Sequence, residues 1–290
     1  MRKYRAIFFD WDGTAVTSRL APVGPVIVPM TALLDKGIKL VIISGTSYEN
    51  IAEGKLAERF PAFLRQNLFL GLGRGARNYS FDREGKMVML EGVLPNKAAL
   101  LTLHKVCFQL HEYLHATFDL HTDIVFTRDN YCKIDLCPDL VRGEQLYFRG
   151  TELTKLNKRL GQHGYRGGIR ELLDLSVSVG REYGLRLFAT TDAKYLELGF
   201  ATKSDNVNTI FAHLNSQHGI SACDCCYWGD EFVEMGEGIY GSDAGMITKN
   251  THCGDFFDVS DVEGQRPVEV CRLGGGVDSF RSFLYEQVRE

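Results

Sequence analysis

The sequence lacks three features that would each indicate a particular class of protein. No apolar run approaches the roughly 18–20 residues that a membrane helix needs, and Met1–Tyr4 leads into a strand-like run without a signal-peptide hydrophobic region. No long basic block is present, and 33 Lys and Arg residues face 37 Asp and Glu residues, which gives a formal charge of -4. These absences predict a cytoplasmic protein that binds neither a membrane nor nucleic acid. The sequence does not indicate an oligomeric state.

The composition is that of an ordered globular protein. Of the 290 residues, 44% are hydrophobic and 24% are charged, and the length predicts one large domain or two unequal ones. The eight cysteines are expected to be free thiols, as in a reducing compartment. Cys223 and Cys226 are separated by two residues, but Cys132 and Cys137 do not have this spacing, which is typical of structural zinc ligands. Cys225 and Cys226 also lead into a predicted strand, and a zinc site is therefore disfavoured.

The first third of the chain alternates strand and helix patterns. Continuous apolar runs predict strands, and apolar residues at helical spacing predict helices between them. The predicted order is strand Tyr4–Phe9, helix Val26–Lys36, strand Lys39–Ile43, helix Tyr48–Phe60 and strand Asn67–Leu72. This alternation predicts an α/β fold with a Rossmann-like, parallel-sheet core.

From about Gly71 the pattern changes and then returns to that of the core. A hairpin is predicted over Asn78–Met89, followed by an α+β segment and a second α/β stretch. We therefore predict a core formed by residues 1–78 and 200–290, with an inserted domain at 79–199. The further predicted elements are helices Leu100–His115, Leu172–Tyr183 and Thr202–Gln217 and strands Asp123–Leu136, Leu185–Thr190, Tyr195–Gly199, Cys226–Trp228 and Ala244–Thr248.

Polar residues follow the predicted strands of the core. Asp10 and Asp12 end the first strand, Ser44 ends the second, Asp230 follows a later strand, and Lys203 begins a predicted helix. Ligands bind at the carboxyl edge of an open parallel sheet. Carboxylates, a hydroxyl and a lysine at that edge suit a divalent cation and a phosphoryl group.

This order of motifs resembles the haloacid dehalogenase superfamily, specifically its phosphatases with a C2-type cap inserted between the second and third motifs. The segment Leu70–Ala76 is similar to the start of that cap, and Leu196–Lys203 is similar to its end. The resemblance implies that Asp10 is the nucleophile and Asp12 the general acid and base. It implies that the phosphate binds to Ser44, Gly45 and Lys203, and that Mg²⁺ binds to Asp10, Asp12, Asp230 and Asp243.

The resemblance implies hydrolysis of a small phosphorylated metabolite, a sugar phosphate in particular, through an aspartyl-phosphate. Two alternatives stay open. A phosphomutase would share the core motifs and retain a bisphosphate intermediate. A non-catalytic sugar-phosphate sensor is disfavoured, because both Asp10 and Asp12 are present.

The fourth motif departs from the family pattern. Its compact acidic loop is stretched here, and Glu231, Glu234 and Asp243 compete for the role of second acidic residue. We favour Asp243, because it directly precedes the predicted strand Ala244–Thr248, over Glu234, which a helix could carry away. Glu231 ranks third.

Substrate selection is expected to depend on the inserted domain. Arg166 and Arg170 flank a pair of glycines and could form a mobile anion-binding loop that contacts the substrate. The alternative, which is the ordinary state of such residues, is that each arginine is a surface charge.

Overall fold

The computed structural model describes residues 2–140 and 151–289. Within these ranges no helix is both long and apolar enough to cross a membrane. The cysteines are all free thiols. The helices are α1 (Gly24–Asp35), α2 (Lys97–Phe118), α3 (Glu152–Gln162), α4 (Gly168–Glu182), α5 (Lys203–His218) and α6 (Gly276–Val288). The strands are β1 (Ala6–Phe9), β2 (Lys39–Ile43), β3 (Leu68–Leu72), β4 (Arg77–Phe81), β5 (Met87–Gly92), β6 (Asp123–Val125), β7 (Tyr131–Asp135), β8 (Phe188–Thr191), β9 (Tyr195–Gly199), β10 (Cys225–Gly229), β11 (Glu234–Gly236), β12 (Ile239–Tyr240), β13 (Asp255–Asp258) and β14 (Val270–Arg272).

The chain divides into two units. The first comprises Met1–Gly92, Thr202–Val233 and Ser242–Glu290, and the second comprises Val93–Ala201 and Glu234–Gly241. The sequence analysis placed the boundaries at 78/79 and 199/200. The first unit extends to Gly92 because β4 and β5 add antiparallel strands to its sheet.

The first unit is built on an eight-stranded sheet in the order β14-β13-β10-β1-β2-β3-β4-β5. The pairings from β14 to β3 are all parallel, as the strand and helix alternation predicts. The central strand β1 is buried along its whole length, because α1 and α6 contribute to the apolar cluster on one face and α5 to that on the other. The core is therefore the parallel-sheet α/β structure expected from the sequence.

The register of the parallel strands aligns their carboxyl ends. Phe9 lies beside Trp228, and Ile43 lies beside Gly71. The pairing continues past the strand ends, because the Asp10 amide donates a 2.9 Å hydrogen bond to the Trp228 carbonyl and the Ser44 amide a 2.9 Å bond to that of Gly71. Residues that follow β1, β2 and β10 are thereby brought to one edge of the sheet.

The second unit contains a four-stranded antiparallel sheet in the order β6-β7-β9-β8. Helices α2 and α4 pack on this sheet and on each other. The hairpin formed by β11 and β12 packs against α3, where Asn157 Nδ2 donates a 3.0 Å hydrogen bond to Glu237 Oε1. This unit is the α+β part that the sequence predicts, and its role as a cap stays a prediction.

The prediction of a loop that includes Arg166 and Arg170 is wrong in part. Helix α4 begins at Gly168, so Arg170 lies in its first turn. The amide of Ile169 donates a 2.8 Å hydrogen bond to Asn157 Oδ1, which fixes this start. Both arginine side chains are exposed, and their role in binding an anion stays a prediction.

Two other predicted elements are also wrong. The helix expected over Tyr48–Phe60 is a series of short 3-10 turns, interrupted by positive φ angles of 48° at Ala52 and 58° at Glu53. The strand expected over Ala244–Thr248 is largely replaced by a 3-10 helix, Ser242–Met246, whose Met246 is buried in the core. A short apolar run fits a buried helical turn as well as a strand.

Candidate active site

Lys203 joins two carboxylates at the carboxyl edge of the large sheet. Its Nζ lies 2.7 Å from Asp10 Oδ1 and 2.7 Å from Asp243 Oδ1, and the three side chains are buried. Lys203 is the first residue of α5, whose start is fixed by reciprocal hydrogen bonds between Thr202 and Asp205. The structure therefore brings together the predicted first, third and fourth motifs.

Asp243 also holds the fourth-motif loop together. Its Oδ2 accepts hydrogen bonds from the amides of Asp230 at 3.0 Å and Glu231 at 2.8 Å. This approach requires glycine at position 229, because a Cβ there would lie 2.3 Å from Asp243 Oδ2. Asp243 thus binds the lysine with one oxygen and the loop backbone with the other.

The three acids considered for the second acidic position occupy different places. Glu234 lies in the hairpin of the second unit, and its Oε1 accepts a 2.8 Å hydrogen bond from the Gly238 amide. Glu231 accepts a 2.7 Å hydrogen bond from the Ser242 hydroxyl. Of the three, Asp243 is the one bound to Lys203, although it precedes a helical turn and not the expected strand.

Thr14 links the first motif to the fourth. Its hydroxyl donates a 3.0 Å hydrogen bond to Asp230 Oδ1. Thr14 is not among the site residues predicted from the sequence. Its place four residues after Asp10, past the turn at Gly13, is the signal that could have identified it.

Ser44 and Gly45 follow β2 at the same sheet edge. Ser44 is buried, and its hydroxyl accepts a 3.4 Å hydrogen bond from the Thr46 amide. The Arg74 side chain lies against Gly45, since a Cβ at Gly45 would be 3.4 Å from Arg74 Cγ. Their function in binding phosphate stays a prediction.

Asn206 is a site residue that the sequence analysis missed. It lies on α5, one turn after Lys203, and is fully buried. Its Oδ1 accepts a 2.6 Å hydrogen bond from the Gly75 amide, and its Nδ2 donates a 2.8 Å bond to Asn78 Oδ1. Asn206 thus fixes α5 against the loop that follows β3, and a buried asparagine on an amphipathic helix is the signal that could have identified it.

Asp12 is paired with an arginine that the sequence analysis did not consider. Arg19 Nε donates a 3.1 Å hydrogen bond to Asp12 Oδ2. Asp12 Oδ1 is buried and has no hydrogen-bond partner in the described part of the chain. Burial raises the pKa of Asp12 and the charge of Arg19 opposes that rise, with a net shift upward.

The buried carboxylates give the site a surplus of negative charge. Burial and the charge of Asp243 raise the pKa of Asp10 well above its usual range, against the effect of Lys203. Burial and the charges of Asp243 and Asp10 do the same to the pKa of Asp230. Burial lowers the pKa of Lys203, but the charges of Asp10 and Asp243 outweigh it, so the lysine stays protonated.

This charge surplus suits a divalent cation. Among residues 2–140 and 151–289 no group of three or more His, Cys, Asp or Glu side chains is already arranged around a common metal position. The donors at this edge are nonetheless all hard oxygens, from Asp10, Asp230 and Asp243, and a single lysine offsets their charge. Such a set fits Mg²⁺ in charge and ligand type.

Solved structures that align with this chain include an IMP-nucleotidase and a sucrose-phosphatase. A Plasmodium falciparum IMP-nucleotidase truncated at its N-terminus aligns with a TM-score of 0.56 at 12% identity, over 99% of this chain and 71% of that one. The ATP-bound form of that nucleotidase aligns with a TM-score of 0.58 at 11% identity, over 99% of this chain and 60% of that one. The sucrose-phosphatase of Synechocystis sp. PCC6803, solved with sucrose and phosphate, aligns with a TM-score of 0.54 at 13% identity, over 99% of this chain and 98% of that one.

These neighbours define the fold of the chain. The sequence matches no protein-family model and no curated protein. The matched structures are phosphatases of the haloacid dehalogenase superfamily, so the chain has the fold of that superfamily. The resemblance seen in the sequence motifs is confirmed at the level of the fold.

Proposed function

We propose that the protein is a Mg²⁺-dependent phosphatase that hydrolyses a small phosphorylated metabolite, a sugar phosphate in particular. The observation that carries this proposal is the buried ion-pair triad of Asp10, Lys203 and Asp243 at the carboxyl edge of the parallel sheet. A cation held beside a carboxylate nucleophile would offset the charge of an incoming phosphate.

Asp10 would act as the nucleophile. Lys203 binds its Oδ1, whereas its Oδ2 accepts no hydrogen bond from residues 2–140 and 151–289. Attack by Oδ2 would form a bond to phosphorus while the ester oxygen leaves, which gives an aspartyl-phosphate and an alcohol. Water would then hydrolyse this intermediate and release phosphate.

Asp12 would supply the proton for the leaving oxygen. A general acid must be protonated before the bond breaks, and the raised pKa of Asp12 increases that fraction. Its Oδ1 accepts no hydrogen bond from residues 2–140 and 151–289, so this oxygen is not committed to another protein group. In the second step the same group would accept a proton from the attacking water.

Mg²⁺ would be held by Asp10, the Asp12 carbonyl and Asp230. Asp243 would hold the loop that carries Asp230 in place. When bound, the cation supplies the positive charge that brings a carboxylate and a phosphate together. Ser44, Gly45 and Lys203 would bind the remaining phosphoryl oxygens.

Two substrate classes are candidates, a sugar phosphate and a nucleoside monophosphate. The sucrose-phosphatase matches over almost the whole length of both chains, which supports a sugar phosphate. The IMP-nucleotidase also covers almost all of this chain, which makes a nucleoside monophosphate the second candidate. The cytoplasm stays the predicted location of the reaction.

A phosphate-release assay over sugar phosphates, nucleoside monophosphates and p-nitrophenyl phosphate tests the proposal. We expect release that requires Mg²⁺, is abolished by chelation, and is absent in Asp10→Asn. Transfer of phosphate to a second sugar position without release would identify a phosphomutase instead. Release that persists in Asp10→Asn would overturn the mechanism.

A further inference from the structure

The segment between β1 and α1 contains an ion pair that the proposed chemistry does not use. Arg19 Nε lies 3.1 Å from Asp12 Oδ2, although the two residues are seven positions apart. The Arg19 side chain is 42% exposed and that of Asp12 is 13% exposed. The pair therefore connects a buried carboxylate with the surface of the site.

This ion pair leaves hydrogen-bonding groups open on both residues. Arg19 contributes only its Nε, so within residues 2–140 and 151–289 its two terminal amino groups donate no hydrogen bond. Asp12 Oδ1 is buried and without a partner in the same ranges. The fork of a guanidinium can donate two parallel hydrogen bonds, and in this pair only one of its nitrogens is used.

Two other arginines show what structural pairs look like in this protein. Arg266 is buried and distributes its donors among Asp258, Ser260 and nearby carbonyls. Arg272 binds both oxygens of Glu263, at 2.9 and 2.8 Å. Arg19 uses only one donor nitrogen, as does Arg281 in its surface pair with Asp278. Arg19 differs from Arg281 in its partner, because the Asp12 side chain is 13% exposed and that of Asp278 is 80% exposed.

We propose that Arg19 determines specificity by binding an oxygen atom on the alcohol part of the substrate, next to the ester oxygen. This inference rests on the proposed function, in which Asp12 contacts the ester oxygen. A general acid must lie about 2.6–3.2 Å from the atom it protonates. Arg19 Nε is 3.1 Å from Asp12 Oδ2, so a substrate whose ester oxygen contacts Asp12 would place its neighbouring carbon atoms near the guanidinium.

The proposal names a substrate class. It is a phosphomonoester with a hydroxyl or carboxylate oxygen on the carbon beside the ester carbon, as in sugar phosphates and phosphorylated hydroxy acids. Guanidinium groups donate two parallel hydrogen bonds to paired oxygens, which a simple alkyl or aryl group cannot accept. Hydrogen bonds to a charged donor contribute about 1.5–3 kcal/mol when made, which corresponds to roughly a 10- to 150-fold preference.

Three small substrates separate the expected interactions. Propyl phosphate has no neighbouring oxygen, glycerol 3-phosphate has a neighbouring hydroxyl, and phosphoglycolate has a neighbouring carboxylate. We expect the wild-type protein to prefer one of the two oxygenated substrates over propyl phosphate by about tenfold or more in kcat/KM. Which of the two is preferred decides between a hydroxyl and a carboxylate.

The test variant is Arg19→Met, with Arg272→Met as the matched control on an exposed ion pair. We expect Arg19→Met to remove the preference, mainly by raising KM for the oxygenated substrate, and Arg19→Lys to restore part of it. The control variant keeps the wild-type preference. Because Arg19 is half exposed, an unchanged melting temperature is expected and would show that the variant is folded.

Two outcomes would overturn the proposal. The first refutes the role of Arg19 alone, and the second also refutes the phosphatase function. Wild-type phosphate release with an oxygen preference that Arg19→Met leaves unchanged would refute the role of Arg19 alone. If the wild-type protein releases phosphate neither from these three substrates nor from p-nitrophenyl phosphate, the proposed function is refuted as well.

Discussion

Two loops supply the carboxylates that bind Lys203, and they reach it by different routes. Asp10 directly follows β1, so the strand itself carries it to the sheet edge. Asp243 lies 13 residues after Asp230 and is fixed at the base of its loop by hydrogen bonds to two backbone amides. Between these points the chain forms the β11–β12 hairpin, which belongs to the second unit. A long loop retains a functional residue when its base is held in place, because added length in a closed loop costs little.

The largest expected difference between the two carboxylates is in turnover. Asp10→Asn removes the nucleophile, so we expect loss of p-nitrophenyl phosphate hydrolysis by at least about a thousandfold. Asp243→Asn is expected to lose about 10- to 100-fold, because an amide cannot accept hydrogen bonds at both ends and so fails either Lys203 or the loop backbone. The control Asp278→Asn, on the exposed face of α6, should keep full activity. Equal losses in the two test variants would show that Asp243 takes part directly in the chemistry.

Gly229→Ala tests whether close approach to the backbone positions Asp243. The added Cβ would lie 2.3 Å from Asp243 Oδ2, so that carboxylate has to move away from the amides of Asp230 and Glu231. We expect turnover to fall about 10-fold or more, since a hydrogen bond to a charged group contributes roughly 1.5–3 kcal/mol. The matched control is Gly24→Ala, where a Cβ meets no atom within 4 Å. Normal turnover in Gly229→Ala would mean that the position of Asp243 is not set by these bonds.

The contrast between the two loops also explains which parts of the site the sequence predicted. Strands β1 and β2 are continuous apolar runs that end in polar residues, so Asp10 and Ser44 could be placed at the sheet edge. The role of Asp243 stays a prediction, and the reason given for it is wrong, since a helical turn and not a strand follows this residue. Asp243 accepts hydrogen bonds from amides 13 and 12 residues before it, and no pattern in the neighbouring sequence indicates such distant bonds.

Other parts of the molecule had signals too weak to interpret. Strand β13 has four residues and begins and ends with aspartate, so it lacks both a long apolar run and strict alternation. Asn206 acts through hydrogen bonds with residues distant in sequence, and Arg19 acts through one contact with Asp12. Polar residues of these types are ordinarily solvated, so the place of Asn206 among the apolar residues of α5 is a weak signal, and Arg19 has no local signal.

Asp230→Asn should change the stability of the metal-free protein. The pKa values of Asp10 and Asp230 are raised by burial and by neighbouring negative charges, so the folded state binds these protons more tightly than the unfolded state. The free energy of unfolding contributed by such groups therefore falls as the pH rises above their ordinary pKa values. Removing one charge is expected to raise the melting temperature in EDTA at pH 7 and to weaken its decline with pH.

The same variant should lose the stabilisation conferred by Mg²⁺. A change of about 1 kcal/mol in the free energy of unfolding shifts the melting temperature of a protein of this size by roughly 2–4 °C. Thermal unfolding between pH 5 and 8, with and without Mg²⁺, measures both effects. A lower melting temperature of Asp230→Asn in EDTA would show that the Thr14 hydrogen bond outweighs the cost of the buried charge.

The smallest effect is expected from shortening the fourth-motif loop. Glu234 pairs with Tyr240 across the hairpin, so the ends of residues 234–241 lie close together and two glycines can replace them. The bonds from Asp243 to Asp230 and Glu231 lie outside the removed segment. We therefore expect p-nitrophenyl phosphate turnover within about threefold of wild type, less than roughly 0.7 kcal/mol, and an unchanged Mg²⁺ requirement. Asn157→Ala, which removes only the hydrogen bond to Glu237, is the milder control and should give wild-type turnover. A large increase in the Mg²⁺ requirement after the replacement would mean that the hairpin, and not the base of the loop, holds Asp243 in place.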